Sequence, residues 1–315
     1  MRLAQHTGAR RGEKPVHKLR ICIWKSIFGR SEAPKNELMT LSLTDTHCHI
    51  HEALPAAADF GDEGVHKVWE RDGKKRNPDT MIREARLMGV DRFICVGCTV
   101  EDSALAVDFV AKRAGTWASI GIHPHEAKRY VDDSVALARF AGLATAPKVV
   151  AIGECGLDYF YNRSPKDAQE KLLRFQLELA QQHNLPVIFH VRDAFADFWP
   201  IFDEYKGVRG VIHSFTATER ELDQILARGL YVGLNGIMTF AKNPEQLAAA
   251  KAVPTDRILL ETDAPFLTPE PERGKVCESK HVRLTAEFLA DLRGESVEAL
   301  AASSSKNATA LFRLE

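Results

Sequence analysis

The chain has 315 residues, of which 45% are hydrophobic and 27% are charged, a composition typical of globular proteins. It excludes a disordered chain, a collagen-like fibre and a small disulfide-stabilised scaffold, and no apolar run approaches the ~20 residues that cross a bilayer. The formal net charge of −1, from 42 basic and 43 acidic residues, excludes a strongly basic protein that coats nucleic acid. An anionic substrate must therefore be bound by a local site rather than by a global field.

The first 40 residues differ from the rest in charge. Nine basic residues face three acidic ones in this segment: Arg2, Arg10, Arg11, Lys14, Lys18, Arg20, Lys25, Arg30 and Lys35 against Glu13, Glu32 and Glu37. We expect residues 1–40 to form a disordered basic extension. The alternative is a short basic helix that lies on a membrane surface through Leu19, Ile23, Trp24 and Ile27. The segment is too interrupted by charges to be a secretory signal.

From Leu41 onward, short β-rich runs alternate with helical stretches. The predicted strands are Ser42–His49, Arg92–Cys98, Trp117–His123, Val149–Glu154, Pro186–Val191, Gly210–Phe215, Tyr231–Gly236 and Ile258–Asp263. The predicted helices include Asp79–Met88, Ser103–Arg113, Asp133–Leu143, Ser164–His183 and Thr218–Arg228. This rhythm predicts an α/β fold in which residues 41–315 form a single (β/α)₈ TIM barrel. A doubly wound open sheet is the alternative, but its Gly-rich fingerprint does not follow the first strand.

Two further features follow from the same pass along the chain. Residues 55–78 are rich in Gly, Asp and Lys and predict a long loop after the first strand. Six cysteines are too sparse for a disulfide framework, and the Cys95/Cys98 pair lies in an apolar run that predicts core packing for both. Reduced cysteines and the missing secretory signal predict a cytoplasmic protein.

Ionisable residues cluster at the predicted strand ends. Six such residues lie within a residue or two of a C-terminal strand end: His47, His49, Glu154, His190, His213 and Asp263. In a TIM barrel that face carries the active site. His47 and His49 are two residues apart on one strand, so both imidazoles point to the same side. A lone histidine would more often make an ordinary hydrogen bond, but six such groups left unpaired and buried are costly, and a divalent metal pair compensates them.

Several motifs resemble those of the TatD family of metal-dependent hydrolases, often described as deoxyribonucleases. They are Asp45–His49, Gly121–Glu126, Ile152–Tyr159, Phe189–Arg192, His213–Phe215, Gly233–Gly236 and Leu260–Pro265. The resemblance extends over about residues 41–312 and implies an amidohydrolase-like barrel. The insertion at residues 55–78, the N-terminal extension and Val276–Ser279 depart from the family pattern.

The resemblance implies two metal ions. His47, His49, Glu154 and Asp263 would bind one, and Glu154 would bridge to a second held by His190 and His213. Glu154 and Asp263 are the implied catalytic residues, with Asp263 also orienting or deprotonating the attacking water. The mixed imidazole and carboxylate ligands favour Zn²⁺ or Mn²⁺, whereas the family's activity is often supported by Mg²⁺.

Five residues are weaker candidates for substrate binding. His123 and His125 follow the third strand and are candidates for contacting a phosphate or a base. Arg192 is either a phosphate clamp or half of an ion pair with Asp193 at the barrel rim. Arg273 and Lys275 follow the eighth strand, where a nucleic-acid backbone would pass, although exposed basic residues are common on any surface.

The function that the resemblance implies is a metal-dependent deoxyribonuclease. It would act as a phosphodiesterase that removes nucleotides from the 3′ end of single-stranded DNA, using a water activated by two metals. One alternative is hydrolysis of another ester, such as that of D-aminoacyl-tRNA. Another is a binding barrel without catalysis, but none of the six expected ligands is missing. The oligomeric state is open, and a monomer is favoured.

Overall fold

A computed structural model describes residues 41–60 and 64–315, so the predicted basic extension lies outside the described residues. The eight strands are β1 Leu43–Cys48, β2 Val90–Val96, β3 Thr116–Ile120, β4 Val149–Asp158, β5 Val187–Arg192, β6 Gly210–Ile212, β7 Tyr231–Leu234 and β8 Ile258–Leu260. Each strand pairs in parallel with the next, in the order β1 to β8. The predicted (β/α)₈ barrel is therefore confirmed.

Helices follow the strands along the chain. They are α1 Val65–Glu70, α2 Pro78–Leu87, α3 Val100–Ala111, α4 Ala127–Tyr130, α5 Ser134–Leu143, α6 Lys166–His183, α7 Phe195–Phe202, α8 Glu219–Ala227, α9 Pro244–Ala252, α10 Val282–Arg293 and α11 Val297–Phe312. All five predicted helices are present with their ends shifted by up to three residues. Local capping sets some of these ends, since Asn77 accepts a hydrogen bond from the backbone N–H of Thr80 and Thr99 accepts one from that of Asp102.

The hydrophobic core has two parts, because alternate strand residues point to opposite sides. Phe93 and Phe189 belong to a large cluster between the strands and the surrounding helices. Their neighbours Ile94 and Ile188 belong to a second cluster, which strand residues form together with Phe312 and nearby residues at the end of α11. The second cluster fills the barrel below its C-terminal face and leaves that face to polar side chains.

The barrel closes along a seam between β1 and the segment that follows β8. The backbone N–H of Asp263 donates to the carbonyl of His47 over 2.8 Å, and the N–H of His49 donates to the carbonyl of Ala264 over 2.8 Å. Beside them, Asp45 accepts hydrogen bonds from the N–H and the hydroxyl of Thr262, at 2.9 and 2.7 Å. These hydrogen bonds lower the pKa of Asp45, but burial outweighs them and raises the pKa to about 7. The seam thus joins the first strand to the segment after the last strand, and both of these segments carry proposed ligands.

The insertion after β1 is more ordered than the predicted loop. It contains a 3₁₀ helix, Pro55–Phe60, and the helix α1. Trp69 of α1 is buried, and its indole N–H donates to the carbonyl of His49 over 3.0 Å. The prediction of a long loop is therefore wrong for this part of the insertion, because the buried side chain of Trp69 packs α1 against the barrel mouth.

Two other sequence features are tested by the described residues. Cys48, Cys95, Cys98, Cys155 and Cys277 are all free thiols. In the same part of the chain, no helix has both the length and the apolar character required to cross a membrane.

The strands β4 and β5, which carry Glu154 and His190, approach each other closely at Gly156. Gly156 of β4 has a φ of +154°, and a Cβ atom built on it would lie 1.9 Å from the carbonyl oxygen of His190 on β5. A backbone oxygen cannot move aside as a flexible side chain can, so only glycine fits this position. The two strands that carry Glu154 and His190 are thereby held close together.

We expect Gly156→Ala to lower the melting temperature by about 5 °C or more, because the added methyl group forces β4 and β5 apart. Gly142→Ala in α5 is the matched control, since a Cβ there meets no atom within 4 Å and alanine favours helix. Thermal unfolding followed by circular dichroism measures both. An unchanged melting temperature for Gly156→Ala would contradict the close approach.

Candidate metal centre

The six proposed ligands converge on the C-terminal face of the barrel. His47 and Glu154 lie within β1 and β4, and His190 lies within β5. His213 directly follows β6 and Asp263 lies three residues beyond β8, because these strands are shorter than predicted. Five of the six line one cavity of about 950 Å³, and His47 is fully buried beneath it. Asp263 has a left-handed φ of +58°, a backbone strain that is typical of functional positions.

Glu154 is the hub of this cluster. Its carboxylate oxygens lie 3.3 Å from His47 Nε2, 2.7 Å from His190 Nδ1, 3.4 Å from His213 Nε2 and 3.6 Å from His123 Nε2. Burial works to raise the pKa of this carboxyl, but the charge of His213 and the hydrogen bonds from the imidazoles of His123 and His190 hold it well below its usual range. Glu154 is thus a buried carboxylate that stays ionised.

Asp263 is the second carboxylate of the cluster. Its Oδ1 lies 3.4 Å from His49 Nε2 and 3.6 Å from His47 Nε2. The other nitrogen of His49, Nδ1, lies 2.8 Å from the carbonyl of Val96 and donates to it. Burial lowers the pKa of His49, but hydrogen bonding to Asp263 and its charge outweigh burial and raise the pKa to about 9. The carbonyl of Val96 therefore holds the ring so that Nε2 faces the carboxylate.

The chemistry of His47 tests whether a metal fits this cluster. Both ring nitrogens of His47 are buried without a hydrogen-bond partner among the described residues. Burial, and the charge of His213 stacked 3.7 Å away, lower the pKa of His47, so the ring is neutral. A neutral buried imidazole with a free lone pair beside two carboxylates is unfavourable unless it binds a cation. The donor set fits a divalent metal.

Ligand atoms form three overlapping groups, each with its members within 4.8 Å of one another. They are His47, His49 and Glu154; His47, His213 and Asp263; and His123, Glu154 and His190. The structure therefore brings together all six proposed ligands. It differs from the expected arrangement in one respect: His123, expected to contact substrate, joins Glu154 and His190, whereas His213 stacks on His47. Burial lowers the pKa of His123 to about 4, which leaves its ring neutral and able to bind a metal.

The other residues proposed for substrate binding fall into two sets. His125 and Arg192 line the cavity, and His125 Nε2 lies 3.0 Å from Asp158 Oδ2. Arg273 and Lys275 do not line it. The guanidinium of Arg273 lies 3.7 Å above the ring of Phe240, and Lys275 forms an ion pair with Glu272.

Two carboxylates lie behind the histidines, and the sequence analysis paired neither of them with a histidine. Asp158 Oδ2 lies 2.9 Å from His190 Nε2, and Glu261 Oε1 lies 2.9 Å from His213 Nδ1. Such carboxylates orient the rings of metal-binding histidines. The spacing from the proposed ligands was an available signal, because residues an even number apart on a strand point to the same side. Asp158 is four residues after Glu154, and Glu261 is two residues before Asp263.

A further buried group lies beside the centre. His51 Nε2 lies 2.8 Å from Asp102 Oδ1, and the backbone N–H of Cys98 donates to Asp102 Oδ2 over 2.8 Å. Cys98 Sγ lies 4.0 Å from Glu154 Oε2 at the edge of the cavity. Core packing is thus confirmed for Cys95 and wrong for Cys98, because the chain leaves β2 before Cys98 and opens it to the cavity.

Comparison with known proteins gives the family of this barrel. The model of the family described as TatD related DNase matches residues 44–313. The chain belongs to the TatD family. The TatD 3′-5′ ssDNA/RNA exonuclease of Cronobacter turicensis is 42% identical over 214 residues, which are 65% of this TatD-family chain and 81% of the relative. YabD of Bacillus subtilis, named an uncharacterised metal-dependent hydrolase, is 36% identical over 276 residues, which are 86% and 99% of the two chains.

Solved structures support the same fold. A crystal structure of YJJV, a TatD homologue from Escherichia coli K12, has a TM-score of 0.74 at 24% identity and covers 87% of this chain and 98% of its own. A TatD-family hydrolase from Entamoeba histolytica has a TM-score of 0.73 at 22% identity, with 87% and 99% covered. The TatD-family chain is therefore a metal-dependent hydrolase built on a (β/α)₈ barrel.

We expect metal-depleted protein to bind two divalent ions per chain when Mn²⁺ or Zn²⁺ is restored, with a rise in melting temperature, because cations offset the buried carboxylates. Glu154→Gln should lose at least one ion and most of that rise. Elemental analysis and thermal unfolding measure both effects. Glu170→Gln, on the outer face of α6, is the control and should bind as the parent does. A parent that binds no ion would contradict the metal centre.

Proposed function

We propose that this TatD-family hydrolase is a two-metal phosphodiesterase that removes nucleotides from the 3′ end of single-stranded DNA. The observation that carries the proposal is the position of Glu154, whose carboxylate lies within 4 Å of nitrogen atoms of four histidines. A carboxylate shared in this way would be able to hold two cations. Two-metal sites of this kind are common in enzymes that cleave phosphodiesters.

The names of the relatives support the substrate class. Several of them, at 34–42% identity, are named 3′-5′ ssDNA/RNA exonucleases. The basic residues Lys128, Arg163 and Arg192 line the cavity together with five carboxylates, whose negative charge bound metal ions would offset in part. Local cations are the means by which such a protein attracts a phosphate backbone. A cytoplasmic location and a monomeric state stay predictions.

The proposed metal ligands are His47, His49, Glu154, His190, His213 and Asp263, and the grouping around Glu154 adds His123. When bound, the cations supply Lewis-acid stabilisation of phosphate charge and lower the pKa of water. Mn²⁺, Zn²⁺ and Mg²⁺ are the candidates, and the histidine-rich donor set favours the first two.

The chain's own residues supply proton transfer and orientation. Asp263 is the proposed general base: its imidazole neighbours keep its pKa below the ordinary value despite burial, so the carboxylate is ionised and can accept a proton from water. Asp158 contacts both His190 and His125 and so fixes the two rings together. His125 and Arg192 are proposed to contact the phosphate. Arg273 and Lys275 are proposed to contact the part of a longer strand outside the cavity.

We expect Asp263→Asn to lower kcat by about 10²- to 10⁴-fold and leave the fold intact, because the amide keeps the size but cannot accept the proton. Turnover of a 3′-labelled single-stranded oligonucleotide at saturating Mn²⁺ gives the rate. Asp256→Asn is the matched control, since Asp256 is an exposed carboxylate next to Arg257. A parental rate in Asp263→Asn would exclude Asp263 as the catalytic base.

We expect the metal-loaded protein to cleave single-stranded DNA faster than duplex DNA and to release mononucleotides from the 3′ end. The experiment offers single-stranded DNA, duplex DNA, RNA and D-aminoacyl-tRNA side by side at equal metal concentration. Release of the amino acid from tRNA without cleavage of any phosphodiester would overturn the proposal in favour of an esterase.

A further inference from the structure

Two exposed aromatic rings lie at the mouth of the cavity. Among the described residues, three large hydrophobic side chains are more than half exposed: Phe160, Tyr161 and Val135. Phe160 and Tyr161 are 56% and 52% exposed, and their rings meet edge to face with centroids 4.8 Å apart. Single exposed apolar residues are common, but an adjacent aromatic pair beside a polar cavity is not explained by folding.

The preceding tyrosine shows what ordinary packing looks like in this loop. Tyr159 is partly buried against the hydrophobic core, and Lys166 lies 3.6 Å above its ring. Its backbone N–H donates to the carbonyl of Arg192 on β5 over 2.9 Å. Tyr159 thus secures the loop, and the two rings that follow are left facing outward.

Arg192 adds a cation to the two exposed rings. Its guanidinium lies 4.3 Å from the ring centroid of Phe160 and 4.9 Å from that of Tyr161. This stacking orients the side chain, rather than the ion pair with Asp193 that was the alternative to a phosphate clamp. Guanidinium planes and aromatic rings are the two protein groups that stack on unpaired bases.

This surface is joined to the metal centre by one carboxylate. Asp158 Oδ1 accepts a hydrogen bond from the backbone N–H of Tyr161 over 2.8 Å, and its Oδ2 contacts His125 and His190. The ring centroids of His125 and Tyr161 are 5.5 Å apart. A nucleotide whose phosphate reaches the histidines therefore has its base, or that of its neighbour, beside the two rings.

We propose that Phe160 and Tyr161, held in place by Arg192, form a stacking platform for an unpaired base near the cleaved 3′ end of a single-stranded nucleic acid. The inference rests on the proposed function, and it explains how the proposed nuclease would prefer single-stranded over duplex substrates. In a duplex both faces of a base are covered by its neighbours, whereas a single-stranded base offers a free face to the rings. Stacking uses a face that every base has, so the platform tolerates any sequence.

The test compares intact oligonucleotides with abasic ones. The substrates are single strands that carry one abasic site at each of the first four positions from the 3′ end in turn. At one or more positions, the parent should show a kcat/KM about tenfold or more lower for the abasic strand, because the stacked base is missing. The double variant Phe160→Ala/Tyr161→Ala should reduce that ratio to about one.

Three controls separate the possible outcomes. Tyr161→Phe keeps the ring and should keep the parental ratio, and so should Val135→Ala, which removes the third exposed apolar side chain. Thermal unfolding checks that each variant is folded. If the parent cleaves all strands but the double variant keeps the parental ratio, or if the parent shows no abasic effect, the platform is wrong and the nuclease stands. If the parent cleaves no oligonucleotide, the proposed function fails and the platform fails with it.

Discussion

A buried, ionised carboxylate is the constraint on which this molecule is organised. Glu154 is almost inaccessible to solvent, yet it remains charged because imidazole nitrogens surround it. Removing such a charge from water is costly unless partners replace the lost hydration. The barrel supplies those partners from several strands at once, which no single helix or hairpin can do. The positions of the ligands follow from this requirement more than from any local preference.

A second layer of acceptors settles which nitrogen each ring presents. Glu261 contacts the far side of His213, Asp158 that of His190, and the carbonyl of Val96 that of His49. Rings held in this way lose little freedom when a cation binds. His47 is the exception, since both of its nitrogens are unpaired among the described residues, and its orientation comes from stacking on His213.

The sequence predicted those features of the fold and the site that depend on local periodicity. Alternating β-rich and helical runs predicted all eight strands, and the strand-end positions of His47, Glu154 and Asp263 predicted that these side chains meet. The partners of His123 were not predicted, because the contacts across the barrel mouth depend on barrel radius and strand twist. For the same reason the pairing of His51 with Asp102 left no trace in the spacing. The helix α1 was missed because its stability comes from Trp69 packing on the barrel rather than from helical periodicity.

The seam between β1 and the end of β8 has a consequence for how the protein matures on the ribosome. Asp45 contacts Thr262 across 217 residues of sequence, and His47 meets Asp263 at the same place. A nascent chain that has emerged through β7 holds most of the histidines but lacks both the closing strand and the second carboxylate. Contacts so distant in sequence form late in folding. The cluster is therefore completed only when synthesis is nearly finished, and a polypeptide interrupted before residue 263 lacks one carboxylate of the candidate metal site.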